Sequence, residues 1–168
     1  RPSADRQSRL KASLLLDPKA NAAEFGTQVH DAFEQINWLD ESTEAIDPLL
    51  SDCFENPKIK RLFTCPKGDV EVWREKSFSH VEGAQFVNGT FDRVHLHKDE
   101  VGKIMRAEII DFKTERIHGE NTIEKAVEKH RPQLEVYAGA LSRITGLETQ
   151  SIQLTLIFTD LPELRMVD

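Results

Sequence analysis

Asp111 and Lys113 lie two residues apart in the run Ile109-Ile110-Asp111-Phe112-Lys113. On a strand, residues two apart leave the same face. A carboxylate and an ammonium would therefore emerge side by side from a segment that two isoleucines draw into the core. Phosphodiester hydrolysis needs hard oxygen ligands for Mg²⁺ or Mn²⁺, and a cation near the attacking water and the scissile phosphate. This pair supplies both, and the carbonyl of Phe112 between them offers a further ligand. Taken alone such a pair is an ordinary charged strand end, so its meaning depends on what else the chain brings to it.

Asp92 follows Gly89-Thr90-Phe91 on a stretch that alternates, and the period places it on one face with Val94 and Leu96. Arg93, His95 and His97 then take the other face. An Asp on an apolar face is costly unless compensated, which a metal would do; a turn-capping Asp or a partner for Arg93 accounts for it equally well. His30 sits beside the helical stripe Val29, Ala32, Phe33, Ile36, four residues before Glu34. As a ligand it would add a borderline nitrogen and make Mn²⁺ an alternative to Mg²⁺; as a structural residue it would only be hydrogen-bonded. Glu75, after Trp73-Arg74, is either an additional metal carboxylate or a solvent-facing side chain. Gln133 and Tyr137, four apart on a helix, share one side. They suit fixing a loop or phosphate and stacking on a nucleic-acid strand, or a half-buried Tyr with a polar neighbour. Lys125, Lys129, His130 and Arg131 form either a small basic strip or a solvated face. His95 and His97 alternate like paired ligands, but they point away from Asp92 and lack a third partner. No glycine-rich phosphate loop is present, which argues against ATP hydrolysis by this domain.

These residues need elements to hold them. Phe25, Val29, Ala32, Phe33 and Ile36 predict a helix, with Thr27 after Gly26 as its N-cap. A short helix over residues 46–54 and a Pro/Lys/Gly-bearing connection follow. Val70, Val72 and Arg74 alternate with Glu71, Trp73 and Glu75 as a strand. A second strand covers residues 85–97, a hairpin loop containing Gly102 covers 98–103, and a third strand covers 105–113. After a polar loop at 114–121, a helix carries Ile123, Ala126 and Val127. Pro132 predicts a break near His130-Arg131 and a new helix carrying Leu134, Tyr137, Ala138 and Leu141, with Gly146 at its C-terminal cap. A last strand runs through Ile152, Leu154, Leu156 and Phe158. The order (helix, three strands, helix, strand) implies an α/β, α+β-mixed fold with a central mixed sheet flanked by helices.

The 168 residues suffice for one domain with a real core. Residues 1–23 read as a polar arm or leading helix bearing Leu10 and Leu14-Leu15-Leu16, and 24–168 as the domain proper. The first residue is Arg, and the opening lacks a signal-peptide core, so a piece of a longer polypeptide is expected. Cys53 and Cys65 are too few for a four-cysteine zinc or iron–sulfur site and read as reduced thiols in the cytoplasm. No apolar run is long enough for a membrane span. A net charge of −7 is unlike a generic nucleic-acid coat. It is compatible with a DNA enzyme whose carboxylates hold metal and whose DNA contacts are local or supplied by a partner.

Four segments together resemble a known family: Gly26-Thr27-Gln28-Val29-His30 with Phe33-Glu34, Gly89-Thr90-Phe91-Asp92-Arg93-Val94, Ile109-Ile110-Asp111-Phe112-Lys113-Thr114, and Gln133-Leu134-Glu135-Val136-Tyr137. They look like the motifs, in order and over about residues 24–158, of the RecB-type nuclease domain of the PD-(D/E)XK superfamily, whose fold is restriction-endonuclease-like. The wording Asp111-Phe112-Lys113-Thr114-Glu115-Arg116 is similar to exonuclease domains at the C-terminal end of UvrD-like helicases of the AddA/RecB kind. The resemblance implies metal binding by His30, Asp92 and Asp111, and a Lys113 that orients the nucleophilic water or stabilises developing charge. Gln133 and Tyr137 match the downstream motif, and Glu75 an often acidic position. Some relatives carry an iron–sulfur cluster; this sequence lacks the cysteines for one. The resemblance further implies a DNA substrate, a helicase in the same polypeptide or complex, and double-strand-break repair or recombination in a bacterial-type intracellular setting. A catalytically silent DNA-binding or assembly domain, or a standalone structure-specific endonuclease, would share the same motifs.

Overall fold

The computed structural model describes residues 18–42 and 45–168. Residues 1–17, most of the expected arm including Leu10 and Leu14–Leu16, lie outside that description. Helix α1 spans Pro18–Glu34, α2 Ser51–Glu55 and α3 Pro57–Leu62. The strands are β1 (Asp69–Glu82), β2 (Gln85–Lys98), β3 (Ile104–Lys113), β4 (Ile152–Phe158) and β5 (Glu163–Val167), with α4 (Ile123–Thr145) between β3 and β4.

The strands form one five-stranded sheet in sequential order. Neighbours are antiparallel except β3 and β4, which run parallel from Ala107↔Ile152 to Lys113↔Phe158. A parallel pair cannot be joined by a tight turn, and α4 provides the crossover. The mixed sheet with flanking helices is the fold class the period changes imply.

Each face of the sheet has its own core. On one, Val29 and Phe33 of α1, Phe54 and Phe63 pack on Ile110, Phe112 and Ile157. On the other, Leu134, Ala138 and Leu141 of α4 pack on Val94, Leu96, Ile109 and Leu156. Ile109 and Ile110 face opposite ways and both are fully buried, so the end of β3 is clamped between layers. That rigidity is what a reactive group at Asp111 and Lys113 requires.

Several expected boundaries move. Helix α1 does not begin at Thr27: it opens at Pro18, and the Thr27 hydroxyl donates to the Ala23 carbonyl at 3.1 Å. Pro suits a first helical turn, whereas a mid-helix Thr can satisfy itself by bonding back one turn. The Pro/Lys/Gly connection contains α3, with Pro57 in its first turn and Asn56 Oδ1 accepting from Lys58 N at 2.9 Å. Pro132 does not break the chain into two helices but lies inside α4. The apolar positions 123, 126, 134, 138 and 141 stay in one helical phase across it. Tertiary packing along that stripe outweighs the lost hydrogen bond. Thr122 and Gly146 cap this helix, Gly146 at φ 75° as its position demands. Strand β5, absent from the expected order, pairs Leu154↔Val167 to Phe158↔Glu163.

Candidate active site

β1 and β2 form a long hairpin whose register holds throughout, yet both strands lose step at one level. Arg74 pairs with Arg93 and Lys76 with Phe91, leaving Glu75 and Asp92 opposite each other but unpaired. Below this level Trp73, Val94 and Leu96 face α4; above it Phe78 and Phe91 do. Each strand has slipped one residue in its inside–outside alternation, as bulges do. Glu75 carries the distortion, at φ 45°, a left-handed conformation that costs a non-glycine residue about 1–2 kcal/mol. The expected placement of Asp92 on one face with Val94 and Leu96 is therefore overturned: the slip turns its carboxylate away from that face.

β2 and β3 part at the same level. Their ladder ends at Arg93↔Ile110, and beyond it the Phe112 N–H donates to Asp92 Oδ2 at 2.8 Å. A side-chain oxygen thus takes the place of a strand carbonyl and props the gap open. His30 enters from α1, with Nδ1 3.5 Å from both Glu75 Oε1 and Asp92 Oδ1 and its ring edge-on to Phe112. One ligand atom from each of His30, Glu75 and Asp92 lies within 4.8 Å of the others, a spacing that could hold a metal ion.

The chemistry of this donor set suits a cation. Glu75 Oε1 is buried without a hydrogen-bond donor, a costly state for a carboxylate unless a positive charge compensates it. Burial, then the negative charge of Asp111, pushes the Asp92 carboxyl up to about 7, against the pull of His30 and the Phe112 N–H. Burial also raises Glu75, with His30 opposing.

Asp111 faces α4. Its Oδ2 is 2.6 Å from Lys113 Nζ, an ion pair that lacks hydrogen-bond alignment. Lys113 donates to Gln133 Oε1 at 3.1 Å, and Gln133 Nε2 donates to the Tyr137 hydroxyl at 3.0 Å. Tyr137 is held edge-on between Phe78 and Phe91, at 5.4 and 5.5 Å. Two groups of residues from five elements thus converge on one gap: His30, Glu75 and Asp92, and the chain Asp111, Lys113, Gln133, Tyr137.

Other sequence readings resolve differently. Arg93 does not pair with Asp92. Buried to 1%, it donates to the Ile36 carbonyl at 2.6 Å and to His95 Nε2 at 2.7 Å, under the rings of Trp38 and Phe63. Burial lowers His95 to about 2, so it is a neutral acceptor within the core, its Nε2 taken by Arg93. The basic strip on α4 is largely spent: Lys129 and His130 both pair with Glu115, and Arg131 with Glu128. Glu115 was given no role of its own in the sequence, yet it ties the loop after β3 to α4. Nor was Phe78, the seat of Tyr137, given one, because neither residue type nor spacing announces a contact made through a slipped hairpin.

Two comparisons with known proteins bear on this site. The model of the PD-(D/E)XK nuclease superfamily matches residues 4–166. A stretch of 76 residues, 44% of the chain, is 32% identical to a protein from Limosilactobacillus fermentum named as one subunit of an ATP-dependent helicase/nuclease. The chain spans only about 5% of that relative's length.

Proposed function

Because the chain belongs to the PD-(D/E)XK nuclease superfamily, we propose that it is a divalent-metal-dependent deoxyribonuclease of the RecB type, acting as the exonuclease module of a helicase–nuclease. The observation that carries this reading is the gap between β2 and β3, where His30, Glu75 and Asp92 stand close enough to share one ion and the buried Glu75 Oε1 lacks a hydrogen-bond donor. His30, Asp92, Asp111 and Glu75 would hold Mg²⁺ or Mn²⁺. The Phe112 carbonyl fits as a further ligand, since an extended residue sends its N–H and C=O to the same edge and this N–H already points at Asp92. A bound ion there supplies a lowered pKa for attacking water and neutralisation of charge on the phosphate.

The protein's own groups do the rest. Lys113, only 15% exposed, keeps its ammonium beside Asp111 and Gln133 and has donor capacity left for the water or a phosphate oxygen. Gln133 fixes that ammonium, and Tyr137, fixed in turn by two phenylalanines, presents its ring edge and hydroxyl to the bound strand. The relative's name supports a helicase partner in the same polypeptide or complex; a cytoplasmic role in double-strand-break repair or recombination is part of the same proposal. Residues 24–168 would be the nuclease domain proper. Two cysteines leave no place for a four-cysteine iron–sulfur cluster.

The test is cleavage of DNA by this chain with Mg²⁺ or Mn²⁺. Lys113→Ala is expected to lower the turnover number at least a hundred-fold while thermal unfolding and Mn²⁺ binding persist. Undiminished cleavage by that variant would overturn the assignment of Lys113.

A further inference from the structure

A cavity of about 710 Å³ opens between α1 and the segment after β3. Among the described residues it is lined by Asn21, Ala22, Phe25, Thr114, Glu115, Arg116 and Asp160. It lies close to the site along both walls. Thr114 directly follows Lys113, and Ala22 and Gly26 lie on the helix face that carries His30, at four-residue spacing. From His30 back to Phe25 the helix rises only about 7.5 Å. The walls are held together at Gly26, where a Cβ would come within 3.1 Å of Thr114 Oγ1. The cavity therefore lies a short way back along α1 from the proposed catalytic gap, on the far side of the Gly26–Thr114 contact.

Its lining is asymmetric in a way that fits one kind of occupant. Phe25, 44% exposed, has no ring stacked on it among the described residues. Its neighbour Ala22 leaves the Phe25 ring unobstructed. The carboxylates in the wall are already engaged: Glu115 is held by Lys129 and His130, and Asp160 accepts from Ile117 N. Arg116 is exposed and its guanidinium has no ion pair or hydrogen bond among the described residues. An open ring and a free guanidinium, with the acids occupied, match a base and its phosphate.

We propose that this cavity is a single-strand subsite, in which Phe25 stacks on the base of a nucleotide next to the cleaved phosphate and Arg116 holds that nucleotide's phosphate. The assignment rests on the nuclease reading and deepens it. A base stacks on Phe25 only once it is splayed out of a duplex, so the strand at this subsite is single-stranded.

The test uses the 168-residue chain in EDTA, where no cleavage occurs, with fluorescent thymidine oligomers and abasic oligomers of equal length. The unsubstituted protein is expected to prefer thymidine. Phe25→Ala should weaken thymidine binding about five-fold or more and leave abasic binding unchanged, so that the preference disappears. Phe25→Trp should restore it, and Arg116→Ala should weaken both probes equally. An undiminished preference in Phe25→Ala, an equal loss on both probes, or no binding by the unsubstituted chain would overturn the subsite. Base-dependent binding lost in Phe25→Ala, with no cleavage when Mg²⁺ or Mn²⁺ is restored, would leave the subsite standing and remove the nuclease reading instead.

Discussion

Asp92 shows how one residue can be poor for the fold and necessary for the site. Its carboxyl, held up at about 7 by burial and by the Asp111 charge, is ionised above that pH at a cost to the metal-free protein. Asp92→Asn removes the charge while its side-chain oxygen can still accept from the Phe112 N–H. At pH 8 in EDTA the variant is expected to be more stable by about 2 kcal/mol, a rise in melting temperature of about 4–8 °C for a chain of this size. Mn²⁺ should raise the melting temperature of the unsubstituted protein and not that of the variant. A variant that melts lower than the parent in EDTA would show that the carboxylate is a structural group and not a charge waiting for a cation. Glu75 belongs to the same pattern, since its left-handed backbone spends stability to aim a carboxylate into the gap.

At the scale of elements, the hairpin of β1 and β2 does most of the positioning. Gly89 lies where an added Cβ would meet Phe78 at 2.7 Å and Tyr137 at 3.0 Å. Gly89→Ala should cost about 1–3 kcal/mol by overpacking and push Tyr137 off its seat. Because Gln133 and Lys113 hang in series from Tyr137, the turnover number should fall while Mn²⁺ affinity, read calorimetrically, is retained. The lower half of the same hairpin holds the turn after α1, where Arg93, braced by His95, donates to the Ile36 carbonyl. The neutral His95 has a folded pKa of about 2 against about 6.5 in an unfolded chain. The unfolded state therefore binds the extra proton, and stability is full above pH 6.5 and lost as pH falls below it, by about 1.4 kcal/mol per unit. His95→Gln, which keeps an acceptor for Arg93, should flatten that slope by up to one proton in denaturant titrations between pH 5 and 7.

Across the whole molecule, a net charge of −7 and a site rich in carboxylates leave few basic groups to grip a duplex from outside. The pairs made by Lys129, His130 and Arg131 reduce that number further. Entry by a free strand end fits this balance better than capture of an intact duplex. Linear single-stranded DNA should be degraded while a closed circle of the same sequence survives; equal loss of both would favour the endonuclease. Among the described residues no helix is long and apolar enough to cross a membrane.

What was legible in the sequence was the chemistry-bearing set and the class of fold. Period changes announce sheet and helices because burial of one face imposes them locally. Carboxylates beside apolar runs stand out because they are costly there. Asp111 and Lys113 share a strand face and Gln133 and Tyr137 a helix side, because regular strand and helix geometry imposes both; the contact of Lys113 with Gln133 was not in the spacing. The true direction of Asp92 and the use of Glu75 were hidden, because both follow from a slip in alternation that only the packing of Phe78 and Phe91 against α4 selects. The continuity of α4 through Pro132 was decided in the same way, by a core that outweighs local preference. Asp111-Phe112-Lys113 could thus be read from residues alone, whereas the gap that brings His30, Glu75 and Asp92 to it exists only where three strands and two layers meet.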